Sequence, residues 1–211
     1  MVRRLLQFRR SPNSVKVRVA LAYKGLEYEA QEMFAADRAP MIEAAGWPLV
    51  PILLDGDVVM RDSSAILHYL EANYRDRPSL TPGTRDEIRS AERIVSVLAP
   101  EIAGIRASLD SEIGKPEAER DPATAASARD AIAAALGRLE ERLAKRDWLV
   151  GESMSLYDVI LACDLLPTRA PAAFVAESAL WRYLDANLRI GDERPSVTAW
   201  VGRVVAHDGL E

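Results

Sequence analysis

Short apolar runs alternate with helical periodicities over roughly the first third of the chain. Leu5-Leu6-Gln7-Phe8 predicts a short buried strand, and Pro12 to Lys24 predicts a helix whose apolar residues are Val15, Val17, Val19, Leu21 and Ala22, stopped by Gly25. Tyr28 to Phe34 predicts a second strand and Ala39 to Ala45 another helix. Ile52-Leu53-Leu54 and Val58-Val59-Met60 flank the turn Asp55-Gly56-Asp57, and an Asp-Gly between two apolar runs is the pattern of an antiparallel hairpin. A helix over Ser63 to Tyr74 closes a βαβ, helix, ββα order.

Beyond Pro78-Ser79-Leu80-Thr81-Pro82-Gly83 the period-two signal stops and only helical spacing continues. Ile88, Ala91, Val95, Leu98 and Ile102 share one face of a helix over Arg85 to Ser108. Ile132, Leu136, Leu139 and Leu143 mark a second long helix ending near Lys145, with a charged loop, Gly114 to Asp121, between the two. Shorter helices are predicted at about 156–166, 173–188 and 196–205. The chain therefore reads as an α/β unit over 1–77, a linker over 78–83 and an all-helical unit over 84–211.

With 211 residues, 49% hydrophobic and 28% charged, the composition is that of a globular protein able to bury a substantial core. No apolar run approaches the roughly 20 residues that span a bilayer, and Met1 to Arg10 lacks the apolar centre of a signal peptide, so a cytoplasmic protein without membrane contact is expected. The net charge of −5 divides into +1 over residues 1–78 and −6 beyond them, and neither part is basic enough for nucleic-acid binding. A single cysteine, Cys163, excludes an internal disulfide and a Cys-x-x-Cys centre, and His68 and His207 have no metal-site spacing.

Three short motifs carry the candidate chemistry: Ser11-Pro12-Asn13-Ser14, Val50-Pro51, and Asp62-Ser63-Ser64. A serine before a proline is a favourable N-cap, and a serine there can also offer its hydroxyl to an anion at the positive end of the helix dipole. Lowering a thiol's pKa by about two units takes roughly 2.7 kcal/mol. A hydrogen bond to a charged group supplies about 1.5–3 kcal/mol and a helix terminus about 0.3–1 kcal/mol, so one serine on one helix end can activate a bound thiol. A cis Val50-Pro51 bond would turn the Val50 backbone outward as a strand partner for a peptide ligand. Asp62 and Ser63 cap the next helix, whose free N–H groups and Ser63 hydroxyl suit an α-carboxylate, while Asp62 suits an ammonium. Ser11 immediately precedes its helix and is the preferred activator, ahead of Asn13, Ser14 and Arg10. Cys163, among Ile160, Leu161 and Leu165, reads as a buried core residue.

In this order, Ser11-Pro-Asn-Ser-Val-Lys-Val-Arg, Val50-Pro51 and Asp62-Ser63-Ser64-Ala65-Ile66 resemble the stations of the cytosolic glutathione transferase family, in the manner of its serine-type, bacterial-like members. Trp148-Leu149-Val150-Gly151-Glu152-Ser153-Met154-Ser155-Leu156-Tyr157-Asp158 is similar to that family's turn and capping box before its central helix, with Ser155 capping and Asp158 answering. Arg194-Pro195-Ser196-Val197 and Trp200 resemble its final helix. Pro48 and Leu49 depart from the family's Gly and polar residue before Val-Pro, and Asp62 replaces the commoner Glu or Gln.

The resemblance implies a thioredoxin-like domain followed by an all-α domain. It also implies a homodimer and an enzyme that uses glutathione, or a similar low-molecular-weight thiol, as co-substrate against a hydrophobic electrophilic small molecule, as in detoxification, without a metal. Ser11 would stabilise the thiolate, Val50 and Pro51 would meet the peptide backbone, and Asp62 with Ser63 would hold the γ-glutamyl end. The alternatives are a thiol-dependent isomerase or dehalogenase, and a non-catalytic interaction module on the same fold.

Overall fold

The computed structural model describes residues 2–191 and 193–209. Met1, Leu210 and Glu211, the outer ends of the two predicted units, lie outside the described residues. Four strands, β1 (Arg3–Gln7), β2 (Tyr28–Glu32), β3 (Ile52–Asp55) and β4 (Val58–Arg61), form one sheet in the order β2-β1-β3-β4. β1 and β2 are parallel, and β3 runs antiparallel to both β1 and β4. Three helices accompany the sheet: α1 (Pro12–Tyr23), α2 (Ala39–Ala45) and α3 (Ser63–Asn73). This is a thioredoxin-like arrangement.

Strand alternation divides the side chains between two layers. Leu5 and Leu53 join Val15, Val17, Ile66 and Leu67 on the α1/α3 side, whereas Leu6 and Ile52 join Met33 and Met41 under α2. The helical half comprises α4 (Arg85–Ile113), α5 (Pro122–Leu143), α6 (Leu156–Asp164), α7 (Ala172–Glu177), α8 (Ala179–Leu188) and α9 (Pro195–Val205). Its core is continuous with that of the α1/α3 layer, because α1 is sandwiched between the sheet and α6. A helix covered on every side must bury its polar residues as well. Lys16 accordingly pairs with Asp164 at 2.7 Å, and Arg18 with Asp208 at 2.7 Å.

Several element bounds differ from the sequence expectation. The predicted helix over 173–188 is two helices, broken at extended Ser178, whose hydroxyl accepts the Trp181 N–H to start α8. α4 continues past Ser108 to Ile113, since Leu109 and Glu112 remain buried and no proline or glycine lies between Ser108 and Gly114. β2 stops at Glu32, and Phe34 stands 71% exposed. The loop over 114–121 holds a short 3-10 turn, Glu117–Glu119, and α6 ends at Asp164 before another such turn at Leu166–Arg169. Among the described residues no strand follows β4, and no helix is long and apolar enough to cross a membrane.

The linker is held from both sides. Leu80 is fully buried and its carbonyl accepts the Leu156 N–H at the start of α6. Glu71 on α3 accepts the Leu80 N–H and the Ser79 and Thr81 hydroxyls, and it pairs with the fully buried Lys24 ammonium at 2.9 Å. Lys24 also donates to the Tyr74 and Pro78 carbonyls.

Candidate functional site

Ser11 is the N-cap residue of α1 in an extended conformation, with Pro12 in the first turn. Its hydroxyl makes no capping hydrogen bond, so the side chain is not spent on holding the helix start. Ser14, one turn on, is fully buried and its Oγ has no partner. Ser11 instead lines a cavity. That cavity, about 830 Å³, lies between the sheet half and the helical half and is lined by Phe8, Met33, Phe34, Pro167, Trp181 and Leu184 among others.

The polar groups of this larger cavity are mostly neutralised in pairs. Arg10 donates to Glu177 of α7 at 3.0 Å, so it is not the free cation beside Ser11 that its position in the sequence offered. On the far wall, burial pushes the Asp110 carboxyl up, and Arg106, 3.9 Å away, pulls it back.

A second cavity, about 420 Å³, gathers Asn13, Trp47, Leu49, Val50, Pro51, Arg61, Asp62 and Ser63. The Val50-Pro51 peptide is cis, as the sequence reading expects. Asp62 has φ of 70°, a conformation costly for a residue with a side chain, and its Oδ1 accepts the Ala65 N–H at 3.0 Å as the cap of α3. The Ser63 hydroxyl is 3.5 Å from Asn13 Oδ1, which also accepts from Lys16. Residues from α1, the loop before β3 and the start of α3 thus converge, although α1 is well separated from the other two in sequence. Val50, Pro51, Asp62 and Ser63 share this cavity, while Ser11 lies on the neighbouring one across the start of α1.

Two lining residues were not singled out from the sequence. The Arg61 guanidinium lies over the Trp47 ring, 5.1 Å from its centroid, at the edge of the second cavity. Arg61 is the residue opposite Ile52 in the hairpin, which puts it on the α2 side of the sheet. That cross-strand register was the one available signal.

In the helical half, the expected capping box is present at α6: Ser155 Oγ accepts the Asp158 N–H, and the Asp158 carboxylate accepts the Ser155 N–H. Asp158 also accepts the Leu149 N–H and the Trp200 indole N–H, each at 2.8 Å. Burial raises its carboxyl, against the pull of these donors.

Comparison with known proteins agrees with this geometry. Residues 5–78 match the family profile for the glutathione S-transferase N-terminal domain, and residues 102–208 match that for the glutathione S-transferase C-terminal domain. Glutathione S-transferase U7 of Arabidopsis thaliana is 27% identical over 159 residues, 74% of this chain and 66% of that protein. Elongation factor 1-gamma 1 of Oryza sativa subsp. japonica is 29% identical over 163 residues, 72% of this chain and 37% of that protein. The chain thus spans less than two thirds of the length of these relatives. Among solved structures, the theta class glutathione S-transferase of Xanthomonas axonopodis pv. citri, with glutathione bound, superposes with a TM-score of 0.74 at 26% identity, covering 99% of this chain and 97% of that one. A thioredoxin-like sheet, a helical half sharing its core, and two profiles matched in chain order place this chain in the glutathione S-transferase family.

Proposed function

We propose that this chain binds glutathione along the second cavity, activates its thiol with Ser11, and transfers it to a hydrophobic electrophile held in the larger cavity. The supporting observation is the Ser11 hydroxyl, which makes no capping hydrogen bond and stands at the start of α1 on the wall of a cavity whose other lining combines apolar side chains with charges mostly held in pairs. In this reading the Val50 backbone pairs with the peptide, and the start of α3 with Ser63 takes the γ-glutamyl carboxylate. Asp62 uses one oxygen as a cap and has the other for the ammonium. Leu49, half exposed on the same cavity, offers the glycine end an apolar surface. Transfer is favoured over a scaffolding role because a scaffold needs neither a free hydroxyl nor a cavity beside it. The same reading assigns the protein to the cytoplasm.

Retention on immobilised glutathione, released by free glutathione, tests the binding half. For the chemistry, Ser11→Ala should keep the fold and raise the apparent pKa of the bound thiol by about one to two units, slowing turnover at neutral pH about 10- to 100-fold. Because the Ser11 hydroxyl caps nothing, the stability loss should fall below the usual N-cap cost of about 0.5–2 kcal/mol. An unchanged pH-rate profile in the folded variant would remove Ser11 from the mechanism.

A further inference from the structure

We propose that Asp208 is a positioning residue for the Ser11 turn, acting through Arg18; the proposal rests on the thiol-activating reading of Ser11. The backbone that carries the Ser11 side chain is held by the tight turn Phe8–Ser11, closed by the Ser11 N–H on the Phe8 carbonyl at 2.9 Å. The Arg9 peptide inside that turn is gripped at both ends. Its N–H donates to the exposed Glu32 carboxylate at 2.8 and 3.1 Å, and its carbonyl accepts from Arg18 Nη2 at 3.0 Å.

Of the two grips, Arg18 is the buried one, and it is itself fully directed. Nε and Nη2 donate to the two Asp208 oxygens at 2.7 Å each, and Nη1 donates to Gln7 Oε1 at 2.7 Å. Both ionic side chains are nearly inaccessible, 7% and 6% exposed. A planar guanidinium has fixed hydrogens, so a bidentate carboxylate on one edge sets the direction of the remaining ones. Nη2 gives one hydrogen to Asp208 and the other to the Arg9 carbonyl. Asp208 therefore does more than tie its own segment down, because it aims Arg18 at the turn that carries Ser11.

Asp208 lies in the short turn Ala206–Asp208 after α9, and His207 next to it packs edge-on against Tyr23 of α1, 5.4 Å between ring centroids. A residue nearly two hundred positions from Ser11 is in this way built into the support of its turn. Hydrogen bonds to a thiolate are steeply sensitive to direction, so loosening the turn, whose residues also line the larger cavity, should reduce thiol activation.

Three variants test this: Asp208→Asn, Asp208→Glu, and the double replacement Arg18→Met with Asp208→Leu. Two quantities are read, the ultraviolet thiolate titration of bound glutathione and hydrogen exchange at the amides of Arg9, Arg10 and Ser11. Asp208→Asn should raise the bound thiol's pKa by about half to one unit, a three- to tenfold loss of thiolate at neutral pH. Exchange at the three amides should accelerate, and Asp208→Glu should restore part of both effects. The double variant removes the pair without stranding a buried charge, so it should fold even where Asp208→Asn does not, and it should still titrate like Asp208→Asn. A wild-type titration and wild-type exchange in either the folded Asp208→Asn or the double variant would overturn the proposal. Failure of the thiol reading looks different: the parent protein then shows no thiolate on bound glutathione, and exchange at the turn alone decides whether Asp208 holds it.

Discussion

A buried hydroxyl with no partner forfeits its bonds to water and gains nothing in return, and Ser14 is such a group. Ser14→Ala should therefore leave stability unchanged or raise it by up to about 1 kcal/mol, measured by urea unfolding, with glutathione turnover essentially unaltered. A matching loss of activity in Ser14→Ala and Ser11→Ala would assign the two hydroxyls the wrong roles. Cys163 is fully buried, and burial pushes its thiol well above the ordinary range. It should resist alkylation in the native protein and react once after unfolding, as mass spectrometry would read. The order of the motifs made the convergence of Val50, Pro51, Asp62 and Ser63 on one cavity legible, because each sits where a backbone element begins or turns, while Ser11 lies on the neighbouring cavity. Trp47 and Arg61 were not, because their meeting depends on the loop before β3 folding over the hairpin. The loss of Arg10 to Glu177 was equally hidden, since those residues lie 167 positions apart.

At the scale of elements, the junction between α3 and the linker turns on Glu71. Burial alone would raise its carboxyl, but the Leu80 N–H, the Lys24 ammonium and the Ser79 and Thr81 hydroxyls hold it below its usual value. A depressed carboxyl stabilises the fold above its unfolded pKa, and that contribution is lost as pH falls through the folded one. Glu71→Gln should cost about 1.5–3 kcal/mol at neutral pH, and the difference from the parent should shrink as unfolding is repeated toward pH 3. At the start of α6, Asp158→Ala strands the buried Leu149 and Ser155 N–H groups and the Trp200 indole; a loss of about 3 kcal/mol or more is expected in thermal or denaturant unfolding. The element order was legible because alternation and helical spacing differ so plainly on either side of Pro78. The break at Ser178 was not: Phe174 and Trp181 fall seven positions apart, so one apolar stripe runs straight through it. Phe34 misled in the opposite way, an apolar residue that extends a strand pattern in sequence but lines a cavity in space.

At the scale of the whole molecule, a two-fold dimer is our proposal. Val58 and Val59 on the edge strand β4 and Val97 on α4 are exposed, and Arg85, Asp86, Arg89 and Arg93 offer a charged rim. Glu92 on the same stretch of α4 accepts the Tyr157 hydroxyl at 2.9 Å and so is engaged within its own chain. Light scattering at micromolar concentration should give twice the 23.3 kDa of one chain, and Val97→Glu should halve it. The enclosure of α1 bears on how such proteins can be recombined. Its two buried cations answer acids that lie 148 and 190 positions downstream, Asp164 and Asp208. A chimera that grafts a foreign helical half onto this sheet leaves Lys16 and Arg18 as unpaired buried charges unless the donor supplies carboxylates at both places. Whole halves can therefore be exchanged only among partners that share this charge pattern, and variation outside that set must proceed residue by residue.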